Sequence, residues 1–175
     1  MQALVTMRGI TKNFGPVRVL DGVDFSIFPS EVQVLAGENG AGKSTLIKIL
    51  AGAYSDYKGR IELDGRKINP GSPLEANRLG ITVIHQELSL VPSMSVVDNL
   101  FLGHPITTRG FIRDSLHRKR ALKALEDVGI SLDIGSAVED LPISAQQLIE
   151  IAKAVRLDAK VIVMDEPSSA LNAKD

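Results

Sequence analysis

Eight consecutive residues carry the most specific chemical signal in the chain. Gly37-Glu38-Asn39-Gly40-Ala41-Gly42-Lys43-Ser44 fits the pattern G-x-x-x-x-G-K-[ST]. Its glycines admit positive φ and keep Cβ atoms out of the way, so backbone N–H groups can turn inward. Inward-facing N–H groups form a nest for phosphate oxygens. A helix opening near Gly42 would add its positive N-terminal end. Lys43 would set a cation on the β- and γ-phosphates, and the Ser44 hydroxyl would ligate Mg²⁺. The flanks suit this chemistry: an apolar stretch precedes the loop, and Leu46, Ile47, Ile49 and Leu50 continue as a mainly apolar helix interrupted by Lys48.

The second signal is acidic. Asp165 and Glu166 follow at once on the apolar run Val161-Ile162-Val163-Met164. Two carboxylates at the end of a buried strand are costly unless a cation compensates them. Mg²⁺ would do so, with Asp165 meeting the metal directly or through one of its ligands. Glu166 would face the γ-phosphate and orient or deprotonate an attacking water, a contribution typically worth about 10²–10⁴ in rate.

These residues need a scaffold that brings them together. Val32–Ala36, Ile81–Ile84 and Val161–Met164 are short, apolar and rich in β-branched residues, as strands buried on both faces of a parallel sheet are. Each is followed by polar residues: Gly37 to Ser44, His85-Gln86, and Asp165-Glu166. Carboxyl ends of parallel strands share one edge, where ligands bind, so the three clusters are expected to converge. Nearer the start, Val23, Phe25 and Ile27 alternate with polar residues as a half-buried strand does. Ile61 and Leu63, then Asp64-Gly65, then Arg66-Lys67-Ile68 predict a hairpin, with a Pro- and Gly-rich loop from Asn69 to Pro73. Between residues 88 and 156 the pattern is helical. Ala121, Leu122, Leu125 and Val128 make one apolar face ended by Gly129, and Leu148, Ile151, Ala152 and Val155 make another.

Composition narrows the partners. In 175 residues, 20 Lys+Arg stand against 21 Asp+Glu, a net charge of −1, so no basic field exists to hold a nucleic-acid backbone. Cysteine is absent, which excludes disulfides and thiolate metal sites. No apolar run is long enough to cross a bilayer, and the first residues lack the pattern of a signal peptide. Cytoplasmic placement is the expectation.

Taken together, these motifs resemble the ATP-binding subunits of ABC transporters, most closely the branch that drives sugar import. Residues 37–44 with Thr45 match the family's phosphate loop, and Val161 to Glu166 match its second nucleotide motif. Gln86, in Ile84-His85-Gln86-Glu87-Leu88, matches the Q-loop glutamine, whose amide could hold Mg²⁺, a water, or neither. Ser169-Ala170-Leu171-Asn172 matches the D-loop, with Asn where Asp is frequent. Phe14 sits where the family keeps an aromatic that stacks on adenine; the alternative is a plain core or turn aromatic. Ser95 to Leu100 and Gln146 to Lys153 resemble the sugar-import branch in particular. His104 and His117 read as surface residues, and Arg118-Lys119-Arg120 as a solvated helix face.

The resemblance implies an α/β P-loop NTPase core with a mainly parallel sheet, an N-terminal antiparallel β-subdomain and an inserted helical subdomain. The expected division is 1–87 for β-subdomain and phosphate-loop core, 88–156 for the helical subdomain, and 157–175 for the second nucleotide motif and D-loop. It further implies Mg²⁺-ATP hydrolysis that powers solute import, docking on membrane-spanning subunits at the cytoplasmic face, and a head-to-tail dimer with a second ATP-binding domain. Two departures qualify this. The family's signature Leu-Ser-Gly-Gly-Gln corresponds to Leu141-Pro142-Ile143-Ser144-Ala145, where Pro142 offers neither hydroxyl nor N–H. Ser144-Ala145-Gln146-Gln147 also reads as a capping box at a helix start. No histidine here can be the family's later switch histidine, and the last strands of the usual core are missing, as in an N-terminal fragment of a longer ATPase. The alternatives are a nucleotide-binding module without turnover, and a P-loop kinase, for which no phosphoacceptor feature is visible.

Overall fold

Alternation of apolar and polar residues builds the first sheet. In the computed structural model, which describes residues 2–85, 88–108 and 111–164, Val5, Met7 and Ile10 on β1 (Val5–Phe14) are fully buried. β1 pairs antiparallel with β2 (Val17–Ile27), which contains the expected Val23–Ile27 strand. The helix α1 (Lys43–Leu50) buries Leu46, Ile49 and Leu50 and packs on β2. β3 (Lys58–Leu63) and β4 (Arg66–Ile68) form the expected hairpin, and strand order in the sheet is β2-β1-β3-β4. Asp64 and Gly65 both take positive φ, 51° and 72°, as a two-residue turn matching the sheet's right-handed twist requires.

One local expectation holds except at its last residue, and another fails. Asn69 to Pro73 is not all loop: Pro73 opens α2 (Pro73–Arg78), its missing N–H harmless in the first turn, and Ser72 caps the helix by accepting the Glu75 N–H. Val32 to Ala36 is not a strand. It runs without regular structure, with Val32 97% and Val34 80% exposed, and no described strand pairs with it.

The chain divides into one unit of residues 1–81 and another of 82–175. β5 (Ile81–Ile84) pairs with the last described strand. In the second unit, α3 (Val96–Phe101) is capped by Ser95, and a short hairpin of β6 (Thr107–Thr108) and β7 (Phe111–Ile112) leads to α4 (Asp114–Asp127). A 3₁₀ turn (Val138–Asp140) precedes α5 (Ile143–Arg156), and β8 (Val161–Met164) follows. Val96, Leu100, Phe101, Ala121, Leu125 and Ile149 lie at the centre of this unit's apolar core. On α4, Ala121 and Leu125 are buried as expected, but Leu122 is 53% exposed and Ala124 takes its place. On α5 the buried face is Ala145, Ile149 and Ala152; Leu148, Ile151 and Val155 are only half-buried. The two faces differ by about one residue, or roughly 100° of helix rotation, and the position of α3 and α4 decides between them.

His117 is not a surface residue. It is buried, its ring lies stacked 4.1 Å from that of Phe101, and its Nε2 accepts the Ile106 N–H at 2.8 Å. The Arg156 guanidinium sits 4.4 Å from the Phe101 ring centre, and burial pulls its pKa down. Arg118, Lys119 and Arg120 are exposed, as a solvated face requires.

Candidate functional site

The phosphate-loop residues form one continuous turn that ends as the cap of α1. The Glu38 carbonyl accepts the Ala41 N–H at 3.1 Å, which folds the loop back on itself. Gly40 and Gly42 take φ of 86° and 90°. Gly40 is glycine for its backbone conformation alone, since an added Cβ would meet nothing within 4 Å. Gly42 is glycine for two reasons. It is the left-handed N-cap of α1, and an added Cβ would lie 2.6 Å from Leu20 Cδ2 and 3.1 Å from the Val19 carbonyl oxygen.

Gly42 offers no side chain to cap α1, and the helix's first turn holds no acidic residue. The opening N–H groups of α1, including those of Lys43, Ser44 and Thr45, therefore have no side-chain acceptor at the cap. Leu46 is the first residue to donate back to the Gly42 carbonyl, at 2.9 Å. Lys43 folds over the loop, and its Nζ donates to the carbonyls of Gly37 at 2.6 Å and Glu38 at 2.9 Å. A single cation and a fan of N–H donors at a helix start fit a polyphosphate chemically. Glu38, Asn39, Ala41 and Ser44 are exposed and Thr45 is half-buried, so the loop is open to solvent.

Phe14 ends β1 and is 41% exposed. Its ring meets Tyr54 edge-on, centroids 5.3 Å apart and planes at 73°. Beneath both lies Lys12, a residue for which the sequence offered no signal. Its side chain is only 3% exposed, with Nζ 4.8 Å from the Phe14 centroid and 5.2 Å from that of Tyr54. The buried ammonium is paired: it donates to the Asp56 carboxylate, and to the Asp56 carbonyl at 3.0 Å. The Lys12 hydrogen bond holds the Asp56 carboxyl below its usual pKa. Phe14 is thus fixed in place by cation–π and aromatic contacts while part of it stays open to solvent.

The signature-like stretch corrects one expectation. Ser144 does not cap a helix. α5 starts at Ile143 with Pro142 as its N-cap at φ −60° and ψ 153°, so Ser144 already lies within the first turn. Proline's fixed φ and missing N–H suit that boundary, and the helix has begun before Ser144 could cap it. No side chain caps this N-terminus; the Gln146 amide instead donates to the Leu141 carbonyl at 2.9 Å. Gln86, Asp165 and Glu166 lie outside the described residues, as does the D-loop match, so their convergence with the loop is untested. Among the described residues no group of three or more His, Asp or Glu gathers to hold a metal, and no helix is long and apolar enough to cross a membrane.

Comparison with known proteins places this geometry. The family model described as ABC transporter matches residues 20–169. The ribose import ATP-binding protein of Rubrobacter xylanophilus is 49% identical over 175 residues, covering 100% of this chain and 35% of its own length. The xylose import ATP-binding protein of Geobacillus kaustophilus is 44% identical, again across 100% of this chain and 35% of its own. The chain therefore spans about a third of the length of the curated relatives it matches. A crystal structure of an ABC transporter's ATP-binding cassette in its ADP conformation superposes with a TM-score of 0.84 at 29% identity, covering 98% of this chain and 72% of that one. A dimeric cassette bound to ADP and phosphate after hydrolysis superposes with a TM-score of 0.77 at 25% identity, over 97% and 77%. The fold is that of these cassettes.

Proposed function

The chain belongs to the ABC transporter family, and from that premise we propose that it binds and hydrolyses Mg²⁺-ATP to power import of a sugar. One observation carries this reading: Lys43 and the left-handed Gly42 hold an uncapped helix start open at a solvent-facing loop. The ribose and xylose import relatives support a sugar, and a pentose in particular, as the solute.

Each residue then has a task. The amides from Gly37 to Thr45 bind the phosphates, and Lys43 exchanges its two carbonyl partners for β- and γ-phosphate oxygens. Ser44, Gln86 and Asp165 would hold Mg²⁺, which supplies charge neutralisation between the phosphates. Glu166 takes or orients the proton of the attacking water, and Phe14 stacks on the adenine. Residues 1–87, 88–156 and 157–175 divide these tasks among β-subdomain and loop, helical subdomain, and second nucleotide motif. The partners are membrane-spanning subunits, met from the cytoplasmic face as a peripheral protein, and a second ATP-binding domain set head to tail.

A titration of ATP into the chain tests this, with Lys43→Ala alongside. Lys43→Ala is expected to weaken ATP binding at least tenfold; unchanged affinity refutes the reading. Turnover that disappears in Glu166→Gln supports hydrolysis. The second reading, nucleotide binding without turnover, is favoured by Pro142, which gives the start of α5 no hydroxyl where the family's signature has serine. Binding with no turnover, also in the presence of the membrane-spanning subunits, would select it.

A further inference from the structure

Glu150 is a buried acid with no part in the chemistry above. It sits in the middle of α5, 8% exposed, between the fully buried Ile149 and the half-buried Ile151. A carboxylate in such a place needs donors, and both of its recorded ones come from a single residue. Ser89 gives Glu150 Oε1 its backbone N–H at 2.8 Å and its hydroxyl at 2.7 Å. Ser89 is itself exposed and lies three residues past Gln86. It opens a strap, Ser89 to Ser95, that runs to the cap of α3.

The strap is gripped along its whole length. Leu90 packs on the core of this unit. Asn99, fully buried on α3, accepts the Val91 N–H at 2.7 Å and donates to the carbonyls of Val91, Met94 and Ser95 at 3.0, 3.2 and 3.1 Å. On its other side the strap accepts N–H groups from the 3₁₀ turn: Glu139 to the Pro92 carbonyl at 3.0 Å and Val138 to the Met94 carbonyl at 3.1 Å. Val138 and Glu139 belong to the 3₁₀ turn that ends at Asp140, next to the signature-like stretch, and Glu150 follows that stretch on α5. The strap therefore holds Leu141 to Ala145 from both flanks.

We propose that Glu150 is a positioning residue that couples the strap beyond Gln86 to the start of α5, so that a nucleotide-driven shift in one is carried to the other. From Ile143 to Glu150 is seven residues of α5, about 10 Å of rigid helix. The 3₁₀ turn alone is a short hinge, whereas a second tie seven residues into the helix makes the strap and α5 a lever with two fixed points. The inference rests on the nucleotide reading, because it is bound nucleotide that would move the strap.

Hydrogen exchange of the full chain, with and without Mg²⁺-ATP, tests it in wild type, Glu150→Ala, Glu150→Gln and Ser89→Ala. Wild type is expected to change protection in residues 37–45, 88–95 and 141–147 together. In Glu150→Ala the Ser89 amide exchanges roughly tenfold faster without nucleotide, as loss of its side-chain acceptor implies. Its nucleotide response is retained in 37–45 and reduced at least fivefold in 141–147. Glu150→Gln keeps the acceptor oxygen and restores the response, which a purely structural loss would not require. Ser89→Ala removes one of the two bonds at an exposed residue, gives a partial loss, and carries the test should Glu150→Ala fail to fold. The coupling is overturned if Glu150→Ala keeps the full response in 141–147, if glutamine loses as much as alanine, or if wild type responds in 88–95 but not in 141–147. No response in 37–45 of wild type means that the nucleotide reading has failed, and the coupling falls with it.

Discussion

Gly42→Ala is the sharpest perturbation of the phosphate loop, because its cost is set by two separable quantities. The first is backbone conformation. At φ 90° an L-residue with a Cβ is strained, by about 1–2 kcal/mol for a left-handed geometry. The second is space. The new methyl would sit 2.6 Å from Leu20 Cδ2 and 3.1 Å from the Val19 carbonyl oxygen. Leu20 can swing aside, but it is 4% exposed, so it moves only by repacking the core, while the carbonyl belongs to the main chain of β2. Overpacking of that kind typically costs about 1–3 kcal/mol. The sum is about 2–5 kcal/mol. Two neighbours provide the controls. Gly40→Ala meets the backbone strain alone, φ 86° with nothing within 4 Å, and should cost about 1–2 kcal/mol. Gly37→Ala lies outside the positive-φ region, and its Cβ would make an ordinary 3.4 Å contact with Ala41 Cβ. It should stay within about 0.5 kcal/mol of wild type. Urea denaturation of the three variants is expected to rank Gly42→Ala below Gly40→Ala below Gly37→Ala. A Gly42→Ala protein as stable as Gly37→Ala would refute the steric argument, and with it the view that this cap is held open by the packing of α1 on β2.

Three further outcomes follow from other parts of the molecule. Phe14→Ala should weaken ATP binding about tenfold, since one base stacked on an aromatic ring is worth roughly 1–3 kcal/mol, and should leave inorganic triphosphate binding unchanged; equal losses for both ligands in calorimetry would remove Phe14 from the adenine site. His117→Ala should cost about 1–3 kcal/mol, because it leaves the buried-side Ile106 N–H without its acceptor and takes the stacked ring off Phe101, as a shift in the urea midpoint would report. The acid limb of stability should carry Asp56 and Asp24, whose folded pKa values lie below 3.8, Asp56 chiefly through Lys12 and Asp24 chiefly through the Gly9 N–H. Their stabilisation is fully present above 3.8 and is lost as pH falls through the depressed values; in Asp56→Asn the pH dependence of stability below pH 4 should flatten.

What the sequence disclosed and what it hid divide along the range of the interactions concerned. The phosphate loop was legible because its requirements are local. Two glycines at positive φ, a lysine that can reach back to its own loop, and a helix start are all settled within nine residues. The Asp64-Gly65 hairpin was legible for the same reason. Lys12 was not: a lysine on a strand reads as solvent-facing, and only the meeting of Phe14 on its own strand with Tyr54 and Asp56 from one loop, Asp56 being 44 residues away, makes its burial affordable. His117 and Glu150 belong to the same class, polar side chains whose partners lie 11 and 61 residues away.

Val32 to Ala36 marks the same boundary from the opposite side. Its composition favours a strand, yet β-propensity is a statement about fitting a half-buried pleated surface, and none of the described strands offers this segment a ladder or a face. With Val32 and Val34 almost fully in solvent, the five residues find no backbone bonds among the described residues to repay the ordering of their backbone, which costs about 1–2 kcal/mol per residue. A helix can close its hydrogen bonds within itself, so α1 forms directly after a loop. A central strand cannot, and its formation is decided by residues elsewhere in the chain. The loop-to-helix turn expected at Gly37 to Thr45, which forms, and the strand expected at Val32 to Ala36, which does not, thus adjoin in sequence and differ in cause: the one is a geometry set mainly by its own backbone, the other an affinity for neighbours that must be supplied.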